Sequence, residues 1–159
     1  MGVTRLNHAV LFVRDAEVAA EFYGHVFGFR NLGAPPGMRA AFMRADGTDN
    51  HHDLGLFEVG ATAARPPRGS VGLYHLAWEV DTIEELARMA GELSAAGALS
   101  GASDHGVSKS LYGSDPDGNE FEVMWRVPRE AWGDNPDEAV IRPLNLEAEL
   151  ERWGASTPA

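Results

Sequence analysis

The sequence contains two copies of one pattern, and this repeat limits the possible folds more than any other feature. A strand-like segment carries a histidine, His8 in the first copy and His75 in the second, 67 residues further on. In both copies an amphipathic helix follows and closes at a glycine. Two strand–helix–strand–strand–strand units can bury each other's faces, which neither could do alone. We therefore predict an α+β fold in which two βαβββ modules pair into a curved mixed sheet around a cavity.

Hydrophobic spacing and turn residues set the predicted boundaries within a single domain, residues 1–159. The first module, residues 4–62, has predicted strands at 6–13, 39–44 and 52–59, and a helix at 16–27 between Asp15 and Gly28. The second module, residues 71–127, has predicted strands at 73–80, 106–112 and 119–126, and a helix at 83–95 capped by Asp81 or Thr82. The remaining segments are a linker at 63–70 and a C-terminal extension at 128–159, with a helix over 144–153.

The charge and the cysteine count exclude several classes of function. The formal net charge is −11, which argues against binding to nucleic acid or to an anionic membrane. There is no cysteine, so disulfides, thiolate nucleophiles and zinc–thiolate sites are excluded. The first residues run directly into a strand-like segment, and we expect no secretory signal and a cytoplasmic protein. Any metal must be held by histidine and carboxylate, and six histidines are available.

Three residues are the candidate metal ligands. His8 and His75 lie at matching places in the two modules, so both would point into one cavity if the modules pair. For a lone histidine, a buried neutral ring hydrogen-bonded to backbone is the simpler interpretation. Glu122 shares a strand face with Glu120 and Met124, opposite Phe121, Val123 and Trp125. A buried carboxylate on the concave face needs a partner, which two histidines and a cation would supply; in the simpler interpretation Glu122 pairs with an arginine or is solvated.

Two histidines and one carboxylate on an ion leave adjacent positions open, as in the facial triad of non-haem Fe(II) oxygenases. Mn(II) suits the same ligands. His52 opens a strand at the place in the first module that roughly matches Glu122, which makes it a fourth ligand or an acid–base group. His105 and Tyr112 are predicted to lie on the strand that precedes Glu122, where Tyr112 could also be an ordinary core aromatic.

The stretch DHGVSKSLYGSDPDGNEFEVMW, residues 104–125, resembles the vicinal oxygen chelate superfamily, and within it the type I extradiol catechol dioxygenases. The matching positions are His105, Leu111-Tyr112, Asp115-Pro116-Asp117-Gly118 and Glu122 at the signature's spacing, with a departure at Ser103. The resemblance extends over about residues 4–154. Many members carry an additional N-terminal pair of modules, whereas this chain has one pair.

The resemblance implies Fe(II) on His8, His75 and Glu122, with Mn(II) as an alternative. It implies His52 as the acid–base catalyst, and His105 and Tyr112 as hydrogen-bonding groups. The implied reaction is extradiol cleavage of a catechol-type aromatic diol with incorporation of both atoms of O₂. The C-terminal extension is similar to one that closes over the pocket in this family. Small sheets with exposed edges often dimerise, so we also expect a homodimer.

Two alternative functions remain open at this point. A metal-dependent isomerase or lyase of the same superfamily, similar to glyoxalase or an epimerase, needs a fourth protein ligand, often Glu, within residues 52–57. No Glu occurs there before Glu58. A non-catalytic protein that binds a small molecule, such as a drug, needs no metal ligands, and the presence of all three candidates argues against it.

Overall fold

A computed structural model describes residues 2–67, 69–133 and 138–154. These residues fall into two units, a first unit that ends at Gly72 and a second unit that begins at Leu73. Parts of the predicted linker and of the predicted C-terminal extension, namely Arg68, residues 134–137 and residues 155–159, lie outside the described residues. Each unit has its own mixed sheet with a helix against one face.

The first unit has the predicted βαβββ order. Its elements are β1 (Ala9–Val13), α1 (Ala16–Phe27), β2 (Arg30–Asn31), β3 (Ala40–Arg44) and β4 (Leu54–Glu58). The strands lie in the order β1-β4-β3-β2, with β1 parallel to β4 and the other pairs antiparallel. Buried Leu11, Val13, Leu54 and Leu56 form the core beneath α1.

The second unit repeats this order and adds a C-terminal segment. Its elements are β5 (His75–Val80), α2 (Ile83–Ala95), β6 (Leu99–Asp104), β7 (Ser108–Ser114), β8 (Glu120–Arg126), a short 3₁₀ turn (Arg129–Ala131), β9 (Arg142–Pro143) and α3 (Leu146–Trp153). The strand order is β5-β8-β7-β6-β9, and β5 is parallel to β8 as β1 is to β4. The α+β class and the repeated βαβββ pattern are thus confirmed.

Helix α1 occupies the predicted residues because both of its ends are encoded locally. The carboxylate of Asp15 accepts hydrogen bonds from the backbone N–H groups of Glu17 and Val18, which have no partner inside the helix. At the other end Gly28 adopts φ 71°, a left-handed conformation that glycine takes without a Cβ clash. Between these ends Ala19, Tyr23 and Val26 are buried at helical spacing.

Loss of the Asp15 cap should destabilise the protein measurably. We expect Asp15→Ala to lower the free energy of unfolding by about 1 kcal/mol, because two N–H groups lose their acceptor. Urea denaturation followed by circular dichroism measures this. Glu21→Ala, at an exposed position of the same helix, is the control and should stay within about 0.5 kcal/mol of the wild type.

Several predicted strands begin later than expected, and three short or polar strands were not predicted. Strand β1 begins at Ala9, so His8 lies just before it; Ala9 is the first residue paired with β4, and its N–H donates to the carbonyl of Asp53. The strand predicted at 52–59 begins at Leu54, because Leu54 is the residue of β4 that pairs with Ala9. Strand β6 was missed because its sequence, Leu-Ser-Gly-Ala-Ser-Asp, has little hydrophobic alternation, and β2 and β9 have two residues each.

Helix α2 also matches its predicted range, with Thr82 as the N-cap. Its buried side chains, Ile83, Leu86, Met89 and Leu93, lie at helical spacing. None of the helices among the described residues has the length and apolarity needed to cross a bilayer.

Candidate functional site

The uncovered face of the second unit's sheet carries the polar side chains predicted from the sequence. Along β8, Phe121, Val123 and Trp125 are buried on the α2 side, so Glu120, Glu122 and Met124 point to the other face. Tyr112 on β7 is the direct cross-strand neighbour of Glu122. The alternation predicted for this strand is therefore observed, and it places Glu122 beside Tyr112.

His75 and Glu122 contact each other on this face. The distance between His75 Nε2 and Glu122 Oε2 is 3.1 Å, and the Glu122 side chain is 15% exposed. The two residues come from neighbouring parallel strands, β5 and β8. A lone-pair nitrogen and a carboxylate oxygen this close can share a proton or a cation.

His105 is held in one tautomer by the chain's C-terminal segment. Its Nδ1 lies 2.8 Å from the carbonyl oxygen of Val140, which can only accept, so Nδ1 carries the proton. In the neutral ring Nε2 is then an acceptor, and it lies 2.7 Å from the hydroxyl of Tyr112. The Tyr112 hydroxyl therefore donates to His105.

The Tyr112 phenol stays protonated near neutral pH. Burial raises its pKa, and the negative charge of Glu122 raises it further. The phenol is thus a hydrogen-bond donor placed next to a carboxylate.

The first unit gathers three histidines next to the start of β1 and β4. The rings of His8 and His52 have centroids 4.6 Å apart, and the Nδ1 atoms of His51 and His52 are 3.1 Å apart. His8 Nδ1 lies 2.9 Å from Asn7 Oδ1, and the Asn7 amide nitrogen donates to Asn50. This assigns the Nδ1 proton to the bond with Asn7 and leaves His8 Nε2 with its lone pair.

His52 is a neutral base at physiological pH. Burial lowers its pKa, and His8 and His51 lower it further, whereas Asp53 raises it. Asp53 itself holds the preceding loop, since its carboxylate accepts hydrogen bonds from the Ala45 N–H, Thr48 and Asn50. The loop that carries His51 and His52 is therefore fixed by side-chain bonds rather than by the sheet.

The predicted ligands are divided between the two units. His75 and Glu122 meet in the second unit, while His8 belongs to the first. Within the residues that the structure describes, no group of three or more histidine, aspartate or glutamate side chains is arranged to hold a metal. The three-residue ligand set therefore remains a prediction.

One expectation about the second unit needs correction. His105 was predicted on the strand before Glu122, but it lies in the turn between β6 and β7, because Gly106 takes a positive φ and closes that turn. Helix α3 packs through Trp153 on Trp125, with ring centroids 5.9 Å apart, on the face of the sheet opposite Glu122.

Several residues that contact the candidate side chains within each unit were not predicted. Val140 acts through its backbone carbonyl, which leaves no signal in a sequence. Asn7 and Asn50 are ordinary polar residues, although the position of Asn7 directly before His8 was a usable hint. The ring centroid of Phe42 lies 5.0 Å from that of His52. Nothing in the sequence of β3 distinguishes Phe42 from any other strand residue.

Comparison with known proteins gives a family match over residues 5–123, to the model described as Glyoxalase/Bleomycin resistance protein/Dioxygenase superfamily. The chain is 36% identical over 129 residues to Catechol-2,3-dioxygenase of Bacillus subtilis (strain 168), which covers 81% of this chain and 44% of that protein. It is 32% identical over 168 residues to Biphenyl-2,3-diol 1,2-dioxygenase 2 of Rhodococcus globerulus, with 97% and 84% covered. The chain thus spans less than half of the Bacillus protein.

Solved structures share the fold at lower identity. A glyoxylase/bleomycin resistance protein/dioxygenase domain from Frankia sp. EAN1pec has a TM-score of 0.65 at 21% identity, covering 84% of this chain and 97% of that one. Lactoylglutathione lyase from Agrobacterium tumefaciens has a TM-score of 0.58 at 24% identity, covering 84% and 100%. Both similarities concern the fold.

Proposed function

Because the chain belongs to the glyoxalase/bleomycin resistance protein/dioxygenase superfamily, we propose that it is an extradiol dioxygenase that cleaves a catechol-type aromatic diol with O₂. The observation that carries this proposal is the group on the second unit's sheet, where Glu122 contacts His75 and neighbours the Tyr112–His105 pair. The dioxygenase names of two relatives support it.

The donor set fits a divalent metal. With bonds of about 2.1 Å, two adjacent ligands of an octahedral ion lie about 3 Å apart, and the His75–Glu122 distance is 3.1 Å. His8 would be the third ligand through Nε2, because its bond to Asn7 resembles the second hydrogen bond that orients a ligating histidine. We propose Fe(II) on His8, His75 and Glu122, with Mn(II) as the alternative.

When bound, such a metal would supply Lewis acidity that lowers the pKa of the diol hydroxyls. The chain supplies the proton chemistry. If His52 Nδ1 donates to His51, His52 Nε2 is the base that takes a proton from the diol. The Tyr112 hydroxyl, whose proton is donated to His105, accepts a hydrogen bond from a hydroxyl of the substrate through its oxygen.

The isomerase alternative lacks a ligand where it needs one. On β4 the positions that share the uncovered face with Val10 and Phe12 are Gly55, which has no side chain, and Phe57, so neither offers a donor to a metal. Glu58 points to the α1 side, where it pairs with Arg39 and lies 3.5 Å from the Ala16 N–H. The first unit therefore favours the dioxygenase over a glyoxalase-like or epimerase-like enzyme.

The role of His52 can be separated from metal binding. We expect His52→Phe to bind Fe(II) as the wild type does and to lose about a hundredfold to ten-thousandfold in kcat, as loss of a general base does. Anaerobic calorimetry measures the binding, and oxygen uptake with catechol measures kcat. His25→Gln, at an exposed position of α1, is the control. Unchanged catechol cleavage by His52→Phe would remove His52 from the proposal.

A homodimer is also part of the proposal. Strand β1 is an edge strand, and its uncovered face carries Phe12, which is 73% exposed, and Val10. Apolar side chains of this size on a sheet surface are typical of interfaces. Sedimentation equilibrium measures the oligomeric state, and a monomer at micromolar concentration would contradict this part.

A further inference from the structure

The C-terminal segment of the second unit passes the edge of the sheet and reaches both of its faces. Strand β9 pairs with the end of β6, where Arg142 is the cross-strand partner of Asp104. Before β9, the Val140 carbonyl oxygen lies 2.8 Å from His105 Nδ1. After β9, helix α3 lies against α2, and Trp153 packs on the face opposite Glu122. The segment therefore links packing on one face of the sheet to a hydrogen bond on the other.

Glu149 ties α3 to the turn between β6 and β7. Its Oε1 lies 3.3 Å from Lys109 Nζ, and its Oε2 accepts a hydrogen bond of 3.0 Å from the Trp153 indole. Lys109 also pairs with Asp104, whose carboxylate accepts from the Gly106 N–H over 2.7 Å and so fixes the turn. The Glu149 and Lys109 side chains are only 15% and 5% exposed. Their charges are thus largely removed from water, and each needs the other.

The hydrogen bonds that run from Val140 to Tyr112 have one direction. A carbonyl oxygen only accepts, so His105 donates through Nδ1 to Val140 and accepts through Nε2 from Tyr112. The Tyr112 oxygen then presents a lone pair, beside Glu122, to a bound molecule. If the Val140 carbonyl moved away, the His105 proton could transfer to Nε2. His105 would then donate to Tyr112, and the Tyr112 proton would face the bound molecule instead.

We propose that residues 140–153 position the Tyr112–His105 pair: they hold the Val140 carbonyl against His105, and this makes Tyr112 a hydrogen-bond acceptor toward the substrate. Within the segment Glu149 is the positioning residue, because it ties α3 to the sheet without touching the substrate. The effect on catalysis rests on the proposed function, whereas the tautomer of His105 is a property of the metal-free protein.

The tautomer of His105 tests this inference without metal. In ¹⁵N-labelled wild type, long-range ¹H–¹⁵N NMR should show a protonated Nδ1 and an unprotonated Nε2 for the ring whose signals are absent from His105→Gln. Glu149→Lys places a second ammonium against Lys109, so α3 should leave the sheet. Both ring nitrogens of His105 should then move to the averaged shifts of exchanging tautomers. Glu147→Lys makes the same charge change in the same helix turn, at an exposed position, and should keep the wild-type spectrum.

The effect on catalysis is measured with Fe(II)-loaded protein and catechol. Glu149→Lys should bind Fe(II) as the wild type does and lose about fivefold to tenfold in kcat/KM, as expected for one hydrogen bond. A loss that acts through Tyr112 cannot occur once Tyr112 is changed. In the Tyr112→Phe background, Glu149→Lys should therefore cause no further loss. Glu147→Lys should match the wild type.

A wild-type His105 with its proton on Nε2 would overturn the inference, as would a folded Glu149→Lys variant with the wild-type tautomer. If circular dichroism shows Glu149→Lys to be unfolded, Glu149→Gln, which keeps an acceptor for the Trp153 indole, is measured in its place. A changed tautomer with unchanged catechol cleavage would overturn the positioning role and leave the proposed function standing. The expected tautomers without cleavage of any diol by the Fe(II)-loaded wild type would overturn the proposed function, and the effect on catalysis with it.

Discussion

Replacing Glu122 by glutamine should abolish diol cleavage and weaken Fe(II) binding by more than a hundredfold. Loss of a residue that merely orients a ligand already weakens metal affinity by about 10- to 100-fold, and Glu122 is proposed as a ligand itself. Glutamine keeps the size of the side chain and its contact with His75, so the effect would come from the lost negative charge. Anaerobic calorimetry with Fe(II), repeated with Mn(II), gives the affinity, and oxygen uptake with catechol gives the activity.

Glu120→Gln is the matched control for this experiment. Glu120 lies on the same strand and the same face as Glu122, and it is exposed. The Glu120→Gln variant should bind Fe(II) and cleave catechol as the wild type does. If Glu122→Gln retained both properties, Glu122 would not be a metal ligand, and its bond to His75 would be an ordinary ion pair.

The second large effect concerns a buried lysine on the α2 side of the second unit. The side chain of Lys109 is 5% exposed, and its Nζ lies 2.5 Å from Asp104 and 3.3 Å from Glu149 of α3. Lys109→Met leaves two carboxylates without their cation. Breaking a buried ion pair from one side destabilises by about 3 to 5 kcal/mol, and we expect about 3 kcal/mol in urea denaturation.

Arg88→Met provides the comparison for a surface pair. Arg88 on α2 is 41% exposed and pairs with Glu85. Exposed pairs contribute about 0 to 1 kcal/mol, so this variant should unfold within about 1 kcal/mol of the wild type. Equal destabilisation by the two variants would show that the Lys109 ion pairs contribute no more to stability than an exposed pair does.

The Lys109–Asp104 ion pair predicts that the free energy of unfolding depends on pH. Burial by itself would raise the pKa of Asp104, but the hydrogen bonds from Lys109 and the Gly106 N–H, with the charges of Lys109 and Arg142, hold it below the ordinary value. Asp104 therefore stabilises fully above its unfolded pKa of about 3.9, and this contribution is lost as the pH falls through the lower folded pKa. The stability difference between wild type and Lys109→Met should narrow below about pH 4. A difference that stays constant down to pH 2 would contradict this.

Features encoded over a few residues were predictable. Asp15 and Gly28 fix the ends of α1 because each acts on the adjacent turn. The alternation along β8 places Glu122 opposite Phe121 and Val123 because a strand has a period of two residues. The repeat linked His8 to His75 and led to two βαβββ units.

Features that depend on distant partners were not predictable. The bond between His105 and the Val140 carbonyl joins residues 35 positions apart through a backbone atom. The position of α3 depends on Trp153 packing on Trp125 and on the Lys109–Glu149 pair, so its amphipathic pattern did not reveal which face of the sheet it would cover.

The fate of molecular oxygen tests the proposed function most directly. The Fe(II)-loaded protein, given catechol or 2,3-dihydroxybiphenyl under ¹⁸O₂, should consume the gas and release a yellow ring-opened acid. Mass spectrometry should then find both labelled atoms in a product cleaved beside the two hydroxyl-bearing carbons. Cleavage between those carbons, or no oxygen uptake by protein that has bound Fe(II), would contradict the assignment of this chain as an extradiol dioxygenase.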